Sequence, residues 1–124
     1  MSIWAKLRVG FGVAFLLFIG YSGITGGLQQ ISQSATLGQR VQTATQLVFG
    51  VLAVAAVATL GARHRWTRSV LVLWGSVLSI SAGFATVVWG GQGGLPAAAA
   101  TVATILIAWL TRWALQPALT ISPV

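Results

Sequence analysis

Four apolar runs, each near the length that crosses a bilayer and each ended by a basic or polar break, constrain this chain more than any other feature. They cover residues 9–28, 43–62, 69–91 and 95–111, with Arg8, Gln29, Arg63, Arg68, Gln92 and Arg112 at their edges. A helix rises about 1.5 Å per residue, so about 20 residues match a hydrocarbon core of roughly 30 Å. Lipid offers backbone amides no partners, which leaves helix as the open-chain solution. The expected fold is therefore all-α: a single transmembrane domain over 1–124, built as an antiparallel four-helix bundle.

Composition points the same way. The chain is 56% hydrophobic and 6% charged, whereas soluble domains carry roughly 25% charged residues. All seven formal charges are Lys or Arg, with no Asp or Glu anywhere. A basic balance often signals nucleic acid, but such binders cluster their cations on a soluble face beside base-reading side chains. Here the cations flank apolar spans, the pattern set by insertion bias and anionic headgroups. No nucleic-acid partner is expected. Cysteine is absent, which excludes thiolate chemistry and leaves the redox compartment unread.

The basic residues also give an orientation. Lys6 and Arg8 precede the first span, Arg63, Arg65 and Arg68 lie between the second and third, and Arg112 follows the fourth, leaving Arg40 alone on the other side. Cytoplasmic loops are enriched in Lys and Arg, so both ends of the chain are expected in the cytoplasm, in the inner membrane of a bacterium. Trp4, Trp66 and Trp113 fall at this boundary, Trp89 at the opposite one, and Trp74 and Trp109 one to two turns inside. Lys6 and Arg8 ahead of an apolar run could also open a signal peptide, but the run is longer than a usual signal core and no small-x-small site closes it. The stretch from Gln29 to Gln42, rich in Gln, Ser and Thr, reads as a solvated loop, an interfacial segment or an extension of the flanking helices.

Small residues recur along each span. Ser69, Ser76, Ser79, Gly83 and Thr86 share one side of the third, with Gly90, and Ala97, Thr101, Thr104, Ala108 and Thr111 one side of the fourth. Ala44, Val51, Ala55, Ala58 and Ala62 do the same in the second, and Gly20, Gly23 and Gly27 in the first. Helices in lipid associate through such close-packing faces and through Ser and Thr hydrogen bonds. Steps averaging 3.5 residues predict a left-handed bundle with crossings near +20°. These seams are expected to face one another, as static packing or as a sliding interface, while Phe15, Phe18, Leu71, Leu78 and Ile105 face lipid. Pro117 is expected to follow the last helix, beyond the point where it could interrupt it.

The missing residues restrict chemistry. Ion-coupled transport and proton pumping normally need a carboxylate or His at depth, and the spans contain neither. Haem ligation and metal binding need convergent His, Met or carboxylate ligands, and the lone His64 sits in the basic turn. Acid–base groups are limited to His64 and Tyr21, neither with an evident partner. No catalytic residue, metal or cofactor is expected, and the chain does not read as an enzyme.

The sharpest polar feature is the cluster Arg63, His64, Arg65 and Arg68, joined by Arg112 at the same boundary. With no acid in the chain, phosphates or a partner's carboxylates are expected to neutralise it; the plainer alternative is an insertion signal that fixes topology. The layout resembles the small DoxX-like four-helix membrane proteins: a leading run from Leu7 to Leu16, a polar stretch, then a hairpin split by a basic turn. That family's charged residues within the spans have no counterpart here, so the resemblance implies topology and carries over no functional residue. Lys6 to Ser34 also resembles the first membrane helix of chemoreceptors. The expected function is a noncatalytic accessory or scaffold subunit of a membrane complex or homo-oligomer, in contact with anionic headgroups and with other membrane subunits or itself. The alternative is a passive carrier or channel for a neutral or anionic solute, for which a groove lined by Ser76, Ser79, Thr101 and Thr104 would speak.

Overall fold

The computed structural model describes residues 2–62, 65–89 and 94–119. Four helices follow in order: α1 (Ile3–Ile31), α2 (Leu37–Gly61), α3 (Thr67–Val88) and α4 (Leu95–Leu119), with no strand among the described residues. Each packs on its neighbours in the chain, and α4 returns to α1 over a shorter contact. All four are long and apolar enough to cross a membrane. The outer surface carries Phe11, Phe18, Ile80, Trp109 and many other large apolar side chains in exposed positions. A monomer in water rarely shows apolar patches of that extent. The chain is an integral membrane four-helix bundle.

The helix ends follow local chemistry. The Ser2 hydroxyl accepts from the Ala5 amide at 3.1 Å and opens α1. Thr36 and Gln39 form a reciprocal capping box at the start of α2, satisfying amides that the first turn leaves without partners. Gly94 adopts φ 63° ahead of α4, a left-handed conformation that suits glycine. Of the readings open for Gln29 to Gln42, helix extension is the one adopted: α1 runs to Ile31 and α2 starts at Leu37. At the other extreme, α4 continues through Pro117 to Leu119, so the proline lies inside the helix and not after it.

Glycine sets the spacing of α1 and α2. A methyl group on Gly23 would stand 3.2 Å from the Gly50 Cα, and one on Gly50 would meet the Ile24 nitrogen at 3.0 Å and the Gly20 oxygen at 3.1 Å. The two backbones come into close approach here, with the side chains of Ile24, Phe49 and Val54 packed beside them. Gly12 makes room for Leu115 of α4, and Gly75 lies against Ala108. The expected small face of α1 is thus used, through Gly20, Gly23 and Gly27, all buried.

The core itself is a cluster of Leu16, Ala53, Ala56, Leu71, Trp74, Leu78 and Leu115. Leu71 and Leu78 were expected to meet lipid, but they are only 4% and 7% exposed. The reason is that α3 is wedged between α2 and α4, so its buried arc is wide enough to take in Leu71, Trp74 and Leu78 beside the flank holding Gly75 and Ser79. Phe15 is half-buried, while Phe18 and Ile105 are exposed. Trp74 belongs to the same buried cluster as the small Ala53 and Ala56, and its indole N–H has no acceptor among the described residues. Such a donor costs about 1–3 kcal/mol, which the packing of a large ring must offset.

Gly50→Val should lower bundle stability by about 2–3 kcal/mol, since the α1 backbone at Ile24 and Gly20 would have to give way as well as the Ile24 side chain. Gly10→Ala, at a position with nothing within 4 Å, should leave stability unchanged or raise it by up to about 1 kcal/mol. Unfolding of both variants in the same detergent micelle checks the contrast.

Candidate functional site

The bundle has a basic end and a glutamine end. At the basic end, Pro117 supplies no N–H, so the Trp113 carbonyl one turn earlier lacks its usual helical donor. The Arg8 guanidinium fills that role, donating from Nη2 to Trp113 O at 2.6 Å. It also lies 3.8 Å from the centroid of the Trp113 ring, a cation–π contact that joins α1 to α4. Arg8 thereby finds neutral partners inside a chain that offers it no acid, although its Nε is buried without a partner among the described residues. Arg68 reaches across from α3 and donates from Nη2 to Leu119 O at 3.0 Å, capping the end of α4. A cation there is favourable, because the last carbonyls of a helix carry its negative pole.

Arg68, Trp109, Arg112, Trp113, Gln116 and Leu119 enclose a cavity of about 260 Å³ at this end. A second, longer depression of about 440 Å³ lies along the outer side of the α3–α4 contact. Its walls include Leu71, Ser76 and Ser79 from α3 and Thr101, Ile105 and Ala108 from α4, and it shares Trp109 and Arg112 with the first cavity. The hydroxyls along it are committed to their own helices: Ser76 donates to Val72 O at 2.9 Å, Ser79 to Gly75 O at 2.8 Å and Thr101 to Ala97 O at 2.9 Å.

The glutamine end holds a polar network that crosses three helices. Gln42, 3% exposed, donates from Nε2 to Ser81 Oγ at 3.1 Å and accepts at Oε1 from the Trp89 indole at 2.8 Å. One turn earlier, Gln39 donates from Nε2 to Val88 O at 3.3 Å while its Oε1 accepts from the Ala35 amide at 2.8 Å. Thr43 donates to Gln39 O at 2.9 Å, with the Gln30 amide oxygen 3.4 Å from the same hydroxyl. Sequence reasoning counted Gln39 and Gln42 as parts of a polar connector. The signal was there in Thr36 and Gln39, a capping-box spacing that starts a helix and puts Gln39 and Gln42 one turn apart.

The residues singled out in the sequence fall as follows. Arg63 and His64 lie outside the described residues, as do Gly90 and Gln92. Arg65 is exposed after α2, and Arg68 and Arg112 converge on the basic-end cavity. Gly83 faces Thr101 and Ala97 across the α3–α4 contact, and Gly75, which was not singled out, faces Ala108. Ser79 is buried, Thr86 and Thr104 are half-buried, and Ser69 and Ser76 are exposed on the outer flank. In α2 the small face points the other way: Ala44, Val51, Ala58 and Ala62 are exposed, whereas Gln42, Thr43, Gly50, Ala53 and Ala56 are buried. The Gly20–Gly50 contact and the Gln42 network rotate α2 so that its polar and glycine face turns inward.

Comparison of this chain with protein-family models, curated proteins and solved structures gives no match.

Replacing Gln42 by Leu removes the acceptor of the Trp89 indole and the donor to Ser81 together. Hydrogen bonds between membrane helices contribute roughly 0.6 to 2 kcal/mol each, so Gln42→Leu should cost about 1–3 kcal/mol in a micelle unfolding titration, with the α2–α3 contact loosened first.

Proposed function

We propose that this chain is a small noncatalytic membrane subunit, an accessory or scaffold element that joins a larger assembly or a second copy of itself through the outer face of α2. The observation that supports this is a stripe of Leu37, Val41, Ala44, Val48, Val51, Ala55, Ala58 and Ala62, which advances by alternating steps of four and three. Every member but the half-buried Ala55 is exposed. An alternation of four and three is the spacing of a helix–helix seam. The outer faces of α1 and α4 carry Phe11, Phe18, Tyr21, Trp109 and Leu110, and this face carries no aromatic residue. Lipid does not require small side chains, whereas close approach of another helix does.

The orientation belongs to the same reading. We place the basic end in the cytoplasm and the protein in a bacterial inner membrane, because Lys6, Arg8, Arg65, Arg68 and Arg112 all belong to that end while Arg40 stands at the other. The resemblance to DoxX-like proteins agrees with this layout and contributes no residue to it.

A passive carrier or channel is the second reading, favoured by the α3–α4 depression lined by Ser76, Ser79 and Thr101. Against it, Thr104 is not among the lining residues, the hydroxyls already donate to their own helix, and the remaining walls are mostly apolar. A hydrated solute would exchange its water for few hydrogen bonds there.

Since the chain has no cysteine, single substitutions report without background. Val51→Cys or Ala58→Cys in native membranes should cross-link to a second copy or to another protein, whereas Phe18→Cys on α1 should not. A chain that cross-links at neither α2 position, stays monomeric in mild detergent and moves solute into liposomes would replace the first reading by the second. For the orientation, Gln33→Cys should react with an impermeant maleimide added outside intact cells, and Arg65→Cys should react only after lysis.

A further inference from the structure

The two depressions at the basic end of α3 and α4 meet at Trp109 and Arg112. Their chemistry differs along the length. The 260 Å³ cavity at the end is lined by Arg68 and Arg112, together with Gln116, Trp109 and Trp113. The 440 Å³ groove that continues from it is walled mainly by Leu71, Val72, Ile80, Ile105 and Ala108. Between Leu71 and Ile80 the helix rises about 14 Å and between Thr101 and Arg112 about 17 Å, which is close to half of a hydrocarbon core of roughly 30 Å. The groove thus extends from the headgroup level to about the middle of the bilayer, the reach of one leaflet.

We propose that Arg68 and Arg112 bind the phosphate of one anionic phospholipid from the adjoining leaflet, and that one of its acyl chains lies in the α3–α4 groove. Charge complementarity selects the headgroup. The chain contains no Asp or Glu to neutralise these arginines, and Arg112 has no hydrogen bond to protein among the described residues. Arg68 is held by its bond to Leu119 O and keeps other N–H groups for an anion. Paired guanidinium groups suit phosphate through charge-assisted bonds. The apolar walls select a lipid over a free phosphate, which would gain nothing from them. The exposed indole of Trp109 belongs at the headgroup boundary where these two chemistries meet. This site requires only that the protein sits in a bilayer, and it stands or falls independently of docking through α2.

Native mass spectrometry of the full chain, released from nanodiscs of phosphatidylcholine with a minority of phosphatidylglycerol, tests the proposal. Wild type should retain one phosphatidylglycerol in preference to phosphatidylcholine. Arg112→Gln, which breaks no bond within the protein, should lower that retention about tenfold, as expected for loss of one charge-assisted contact. Ser76→Trp, at an exposed position that fills the groove, should abolish retention with both arginines intact. Arg40→Gln, at the far end of the bundle beside a separate cavity, should retain lipid as wild type does. Equal retention by wild type and Arg112→Gln, equal retention of the two lipids, or unaltered retention by Ser76→Trp would each overturn the proposal, as would equal affinity for glycerol phosphate, which has no tail.

Discussion

A bilayer gives a polypeptide neither hydrogen-bond partners nor a hydrophobic force that draws one helix to another. Both deficits are visible in how this bundle is held together. Hydroxyl groups mostly return to their own helix, as in the bonds of Thr25 to Tyr21 O, Ser79 to Gly75 O and Thr111 to Ile107 O. Helices come together where glycine lets main chains touch, at Gly20, Gly23 and Gly50 between α1 and α2. Larger side chains complete the core, where Leu16, Leu71, Trp74, Leu78 and Leu115 cluster with Ala53 and Ala56.

Polar side chains that leave their own helix do so at the two ends, and each end solves a different problem. At the glutamine end, neutral amides provide both donor and acceptor, so Gln42 can serve Ser81 and Trp89 at once. At the basic end, cations without acidic partners take carbonyls and rings instead. Pro117 is central to this: by withholding an N–H it frees Trp113 O for Arg8, and the same guanidinium stacks on the Trp113 indole. The arginine and the proline form one device, and neither explains the contact alone.

Two outer surfaces remain after the bundle has closed, and their shapes call for different neighbours. The α2 stripe is regular, aliphatic and without an aromatic residue, the make-up on which the proposed helix contact rests. The α3–α4 groove is mainly apolar with Arg112 at one end, the make-up on which the proposed lipid site rests. The bundle's interior, by contrast, is filled by Leu16, Trp74, Leu78 and Leu115.

Membrane residence, helix number and antiparallel order were legible in the sequence, because hydrophobic length and the position of breaks are local properties of the chain. So was the glycine face of α1, where Gly20, Gly23 and Gly27 admit only one use at close range. The small residues of α2 were equally visible, yet which way they point was not. Residues Ala44, Val51, Ala58 and Ala62 could face in or out until Gly50 met Gly20 and Gln42 met Ser81 and Trp89, contacts that exist only once neighbouring helices have packed. The same holds for Leu71 and Leu78, buried because α3 is flanked on two sides, and for Arg68 and Arg112, which only the docking of α4 on α3 brings to one cavity. Periodicity defines a face on each helix, but rotation about the helix axis is decided by its neighbours, and that information exists only once the helices are packed.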